Sequence, residues 1–281
     1  MQLKQALETA VRQLDASGVG SPRMNAEVLL MFTLSCDRAY LYAHSDRELT
    51  AEEMERYQQA LAERARGVPS QYITGHQEFW GLDLLVTPAV LIPRPETEHV
   101  VEAVLDLVKR YEVQRPHIVD VGTGSGCIAL ALASELPQAG IDAVDVSCAA
   151  LEIARANAAR LQLSRRIRFG QSDLLSAFAE VPAFDFIVSN PPYVGECEAD
   201  KVQREVRKFE PKIAVFGGPE GLDIVRCLAP QAHSRLKPGG WLLMEIGFSQ
   251  EQAVLALLQS WSEVQSIPDL QGIPRVVAAR K

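Results

Sequence analysis

From residue 116 onward, short apolar segments alternate with amphipathic ones, and this limits the fold more than any other feature of the chain. Strands are expected at 117–121, 141–146, 166–170, 184–189 and 241–246. Helices are expected between them, at 125–135, about 148–162, 220–236 and 250–259. A helix between two strands returns the chain to the same end of the sheet. The strands then run mostly parallel, with helices on both faces. The segments 262–267 and 274–280 have no helix between them and are expected to pair as an antiparallel edge.

The first 67 residues carry helix signals and almost no strand signals. Leu3, Leu7, Val11 and Leu14 share a helical face, and Met24, Val28 and Met31 suggest a second. Ser21-Pro22 reads as an N-cap followed by proline at the first helical position. Thr50 with Glu53 forms a capping-box pattern, opening a helix that should end at Gly67. At 78–86, two apolar runs flank a glycine and read as a hairpin. The expected organisation is a helical domain at 1–70, a β-hairpin linker at 71–92 and a doubly wound α/β domain at 93–281.

A net charge of −8 argues against binding nucleic acid through non-specific charge, which requires a basic surface. The five cysteines are scattered without a CxxC pair, so neither a disulfide framework nor a metal site is expected. No apolar run approaches the roughly 20 residues of a membrane span. The amphipathic, acid-containing start does not resemble a signal peptide. A cytoplasmic protein without membrane contact is expected.

Asp120-Val-Gly122-Thr123-Gly124-Ser125-Gly126 follows the first of the alternating strands and opens a helix. Glycines there allow a tight turn and close approach of a ligand. The spacing is G-x-G-x-G, not the G-x-G-x-x-G of dinucleotide-binding folds, which argues against a dehydrogenase. Asp145 ends the next strand, where a carboxylate can accept from both ribose hydroxyls of an adenosine. The pair suits S-adenosylmethionine, which carries no phosphate, with S-adenosylhomocysteine as the product. Asp173 and Leu174, after the third strand, suit contact with an adenine ring, or equally the cap of a helix.

Asn190-Pro191-Pro192-Tyr193 ends the fourth strand, which in a doubly wound order lies beside the first. A planar nitrogen awaiting a methyl group is a poor nucleophile bearing two N–H donors. The Asn190 carboxamide oxygen and the Pro191 carbonyl can accept both hydrogens and stabilise the positive charge that develops. Proline keeps the carbonyl aimed. Tyr193 is expected to stack on the planar group and hold it in line for attack.

With these residues in view, the chain resembles the release-factor glutamine methyltransferases, the PrmC/HemK family. The resemblance rests on 71–98, on Asp120–Gly126, Asp145 and Ser189–Tyr193, and on 209–226 and 242–247. It implies a seven-stranded methyltransferase sheet and N5-methylation of the glutamine in the Gly-Gly-Gln loop of class-one peptide-chain release factors. It also implies donor binding at Gly122–Gly126, Asp145 and Asn190, and substrate binding at Asn190–Tyr193. Some members carry tryptophan at the place of Leu174. Because Asn-Pro-Pro-Tyr also occurs in enzymes methylating adenine N6 or ribosomal-protein glutamine, those substrates stay open. A donor-binding module without catalysis is the alternative from another class.

Other residues have two readings. Arg94 suits the donor's carboxylate or a neighbouring acid, and Glu245 a pocket wall or an edge charge. His76 and His99 lack metal-ligand spacing. Lys201, Arg204, Arg207 and Lys208 form either a solvated loop or a lid over a protein substrate.

Overall fold

The computed structural model covers residues 1–281 and divides into two compact units, Met1–His76 and Gln77–Lys281. The first contains helices α1 (Leu3–Ala16), α2 (Pro22–Leu34), α3 (Arg38–Ala43), α4 (Ala51–Ala65) and α5 (Ser70–Thr74). Leu3, Leu7, Leu14, Leu29, Leu30, Tyr57 and Leu61 fill its core. The capping box at Thr50 forms as expected, and α4 stops just before Gly67. Ser21 caps α2 in position only, because it lies at φ 50° and its side chain accepts no cap hydrogen bond.

The face expected of α2 is not the buried one. Met24 is exposed, and the helix buries Ala26, Leu29, Leu30 and Thr33 instead. This helix is apolar on several sides, so periodicity alone does not choose a face. Two buried polar groups do. Asn25 accepts from Arg64 Nε at 2.7 Å, and Glu27 accepts from Tyr42 at 2.7 Å and from Arg23 at 3.0 Å. A buried carboxylate or amide is tolerated only where such partners exist.

The hairpin strands β1 (His76–Phe79) and β2 (Leu82–Leu85) turn at Trp80-Gly81, both with positive φ. Expected as a linker, the hairpin contributes Phe79 and Leu84 to the second unit's core. Helix α6 (Glu98–Arg110) follows a single 3₁₀ turn at Pro95–Thr97. The chain then alternates through β3 (His117–Val121), α7 (Cys127–Glu135), β4 (Gly140–Asp145), α8 (Cys148–Arg160), β5 (Ile167–Gln171) and β6 (Phe184–Ser189). The short helices α9 (Arg204–Phe209) and α10 (Lys212–Val215) precede α11 (Asp223–Arg235). The chain continues through β7 (Leu236–Glu245), α12 (Glu251–Leu257), β8 (Glu263–Pro268) and β9 (Pro274–Arg280).

Seven strands form one sheet in the order β5-β4-β3-β6-β7-β9-β8. β3 to β7 are parallel, and β9 is antiparallel to both neighbours. Side chains alternate across the sheet. Ile118, Phe186, Val188 and Leu243 face one apolar layer with α6 and α7, while Val119, Val121, Ile187 and Leu242 face the other with α11 and α12. β7 begins at Leu236, earlier than the sequence suggests. Leu236 pairs with Phe184 across an irregularity, which draws Lys237–Gly240 into the strand.

The chain leaves β3 toward β4 on one side and returns to β6 on the other. The switch point, where such sheets hold ligands, therefore lies between β3 and β6. Asn157 of α8, wholly buried, ties this region to the hairpin. It accepts from Leu85 N at 2.6 Å and donates to Leu85 O at 3.0 Å and Ser125 O at 2.9 Å. Asn157→Ala strands three backbone groups and is expected to cost about 2–4 kcal/mol, measured by urea unfolding. A cost near zero would show that these contacts do not position the glycine loop.

Candidate active site

Loops at the carboxyl ends of β3, β4, β5 and β6, with residues 89–97 and 211–214, enclose a cavity of about 380 Å³. That is within the roughly 300–1,000 Å³ of small-molecule sites. Gly122, Thr123, Gly124, Ser125, Asp145, Asp173, Leu174, Asn190, Pro191 and Pro192 all line it. Gly126 and Tyr193 do not.

The glycine loop offers shape and few free N–H groups. Gly122 and Gly124 have φ of 73° and 56°, a region that favours glycine. Gly122 N and Thr123 N donate to Val144 O, and Gly124 N donates to Asp145 Oδ2 at 2.9 Å. At the start of α7, Ala129 N and the Thr123 hydroxyl donate to the buried Asp120 carboxyl. A phosphate would normally use such groups, and here the Val144 carbonyl and the Asp145 and Asp120 carboxyls hold them. Ser125, itself buried, also lines the cavity. The set fits a nucleoside without phosphate. Gly126 serves packing instead. A Cβ there would come within 3.1 Å of Leu130 and 3.2 Å of Ala154, so its bareness lets α7 approach α8.

Asp145 also accepts from Ser147 N at 2.9 Å, so its carboxylate is oriented by two backbone groups while lining the cavity. After β5, the two readings of Asp173 and Leu174 separate. Ser172 Oγ caps the turn by accepting from Ala177 N at 3.1 Å, which leaves the Asp173 side chain on the cavity. Leu174 lies at φ 49°, a strained backbone for a branched side chain. Such strain concentrates at functional sites.

Asn190 stands at the end of β6, and its Nδ2 donates to Thr97 Oγ1 at 3.0 Å. The Thr97 hydroxyl donates in turn to Glu245 Oε2 at 2.6 Å. Glu245 is wholly buried, and burial pushes its carboxyl up to about 7 against the hydrogen bonds from Thr97 and Tyr193. Tyr193 is half-buried. Its hydroxyl faces Glu245, its ring lies where a side chain at Gly247 would touch it at 3.3 Å, and burial beside that acid raises its pKa.

The backbone of this turn is clamped from behind. A Cβ at Gly217 would lie 2.2 Å from Pro192 O, and one at Gly221 would lie 2.0 Å from Tyr193 O. Gln250 Nε2 donates to the same Tyr193 carbonyl at 2.8 Å. Arg94 is committed elsewhere. It pairs with the buried Glu210, which also accepts from Ile92 N at 3.1 Å, as the acid reading of Arg94 expects. In the basic cluster, Lys201 pairs with Glu198 and Arg207 with Asp200.

Residues 5–75 match the PrmC N-terminal domain, and residues 102–208 match the methyltransferase small domain. A protein of Koribacter versatilis named release factor glutamine methyltransferase is 59% identical over 281 residues, covering 100% of this chain and 99% of its own. The chain belongs to the release factor glutamine methyltransferase family. A member from Moorella thermoacetica is 46% identical, covering 99% of this chain and 98% of its own. Among solved structures, the catalytic domain of hMettl16 in complex with an RNA hairpin of the MAT2A 3′UTR aligns at TM-score 0.56 with 19% identity. It covers 78% of this chain and 80% of that one. A methyltransferase from Pyrococcus furiosus aligns at TM-score 0.52 with 20% identity, over 72% and 89%. These two share the fold of the family's catalytic sheet.

Sequence reasoning overlooked Thr97, Gly217, Gly221 and Gln250. The paired glycines of 217–221 signalled close backbone approach, without saying to what. In Gly272→Ala and Gly221→Ala the left-handed backbone is equally strained, but only Gly221 touches the Tyr193 carbonyl. Gly221→Ala is therefore expected to be the less stable by about 1–3 kcal/mol, measured by thermal unfolding. Equal costs would remove the clamp.

Asp120 gives a pH prediction. Burial raises its carboxyl from 3.8 to about 7, against hydrogen bonds from Thr123 and Ala129. Between those values the folded chain binds more protons than the unfolded one, so stability falls as pH rises through that window. Asp120→Asn removes the titration. From pH 5 to pH 8 the wild type should lose roughly 2–3 kcal/mol more than the variant in urea unfolding. Identical losses would refute the assignment.

Proposed function

We propose that this enzyme transfers a methyl group from S-adenosylmethionine to the side-chain amide N5 of the glutamine in the Gly-Gly-Gln loop of class-one peptide-chain release factors. The reading rests on one juxtaposition: Asn190 and Pro191 share a cavity with Gly122–Ser125 and Asp145. The names of the full-length relatives support the same substrate.

When bound, S-adenosylmethionine supplies an electrophilic methyl carbon on a sulfonium. Asp145 would hold the ribose, Asp173 and Leu174 would meet the adenine, and the glycine loop would accommodate the amino-acid tail. Asn190 Oδ1 and the Pro191 carbonyl accept the two N–H bonds of the glutamine amide. This fixes the nitrogen's orientation and stabilises its growing positive charge. Bound there, S-adenosylmethionine would give up its methyl from sulfur to this nitrogen, which would then release a proton. Once methylated it is acidic enough to need no strong base. The helical unit recognises a second surface of the release factor, and the reaction belongs in the cytoplasm, where these factors act. No helix of the structure is long and apolar enough to cross a membrane.

Mass spectrometry of the release-factor loop, incubated with donor and with or without the enzyme, is expected to show one added methyl on the loop glutamine. Label persisting after that glutamine is changed to alanine would overturn the substrate. Asn190→Ala should lower turnover by about 100-fold or more while donor affinity, followed by calorimetry, is retained.

A further inference from the structure

Both flanks of the Asn-Pro-Pro-Tyr turn are referred to one buried carboxyl. Glu245, at the end of β7, accepts from the Thr97 hydroxyl at 2.6 Å and faces the Tyr193 hydroxyl. Thr97 is itself 1% exposed, and its hydroxyl accepts from Asn190 Nδ2 at 3.0 Å. A threonine hydroxyl has one hydrogen to give. With that hydrogen on Glu245, the oxygen facing Asn190 can only accept. Asn190 must then present its NH₂ to Thr97 and turn its oxygen the other way. A carboxamide has two faces of similar shape and opposite polarity, and this chain of bonds selects one.

We infer that Thr97 and Glu245 are positioning residues for methyl transfer: they lock the Asn190 carboxamide with its oxygen toward the glutamine amide. The inference rests on the function proposed above. Without the acceptor at 245, the threonine hydrogen is free to turn to Asn190 Oδ1, and the carboxamide can invert. Its NH₂ group would then meet the NH₂ of the substrate, donor against donor, and the nitrogen would be neither held nor stabilised. The substrate and the donor keep their other contacts, so the loss falls on the chemical step.

Three variants of the full-length enzyme, with a release factor as substrate, test this. Thr97→Val keeps the shape and removes the hydroxyl. Glu245→Met keeps the length and removes the acceptor. Each should lower kcat about 10- to 100-fold, with the KM for release factor and the Kd for S-adenosylmethionine changed less than about threefold. Thr97→Ser restores the hydroxyl and should recover kcat to within about threefold of wild type. A Thr97→Val enzyme with wild-type kcat would overturn the inference, as would a loss that Thr97→Ser does not recover. If Thr97→Val does not fold, Glu245→Met decides by the same split between kcat and KM. A wild-type enzyme that leaves the loop glutamine unmethylated removes the proposed function itself, whereas a methylating wild type with indifferent variants removes only the positioning role.

Discussion

A carbonyl that must point at one hydrogen works only if the backbone carrying it cannot turn, and the site depends on that constraint at the end of β6. Proline stiffens the chain locally, but two prolines alone do not fix where the turn sits against the sheet. Gly217 and Gly221 press directly on the carbonyls of Pro192 and Tyr193, with no room for a methyl group between. Gln250 holds the second carbonyl from another element and accepts from Gly247 N at 3.0 Å. The turn is therefore fixed by steric contact and hydrogen bonding together. Packed protein surfaces resist small displacements because lost contact is not regained elsewhere.

The same economy of polar groups shapes the donor side. At the start of α7 and in the glycine loop, Asp120 and Asp145 occupy N–H groups that would otherwise attract a phosphate. Asp120 meets the start of α7 from within the protein by accepting from Ala129 N. What remains for a ligand is a concave surface and one oriented carboxylate. One cavity thus brings Asp145 together with Asn190 and Pro191.

Much of this was legible in the sequence because it is periodic or local. The parallel sheet follows from the alternation of strand and helix, and the glycine loop, Asp145 and the Asn-Pro-Pro-Tyr turn sit at strand ends that the alternation itself marks. The antiparallel final pair follows from the missing helix. The failures have separate physical causes. Thr97 and Glu245 are 148 residues apart, and Thr97 and Asn190 are 93 apart, so no spacing rule joins them. Arg94 looked available because its partner Glu210 is 116 residues away. The face of α2 was misread because hydrophobicity was spread around the helix, and buried Asn25 and Glu27 decided the matter. The packing of Gly126 against α7 and α8, and the contact of Tyr193 with Glu245, are not written in their motifs.

The order of strands carries a consequence for synthesis. β9 follows every other strand of the sheet in sequence, yet it lies between β7 and β8. Met244 and Glu245 of β7 pair with Val277 and Val276 of β9. A chain growing from its amino end exposes an unfilled slot beside Glu245 until residues 274–280 have emerged. Without β9, the edge of β7 beside Glu245 is unpaired and β8, which pairs with β9, has no place in the sheet.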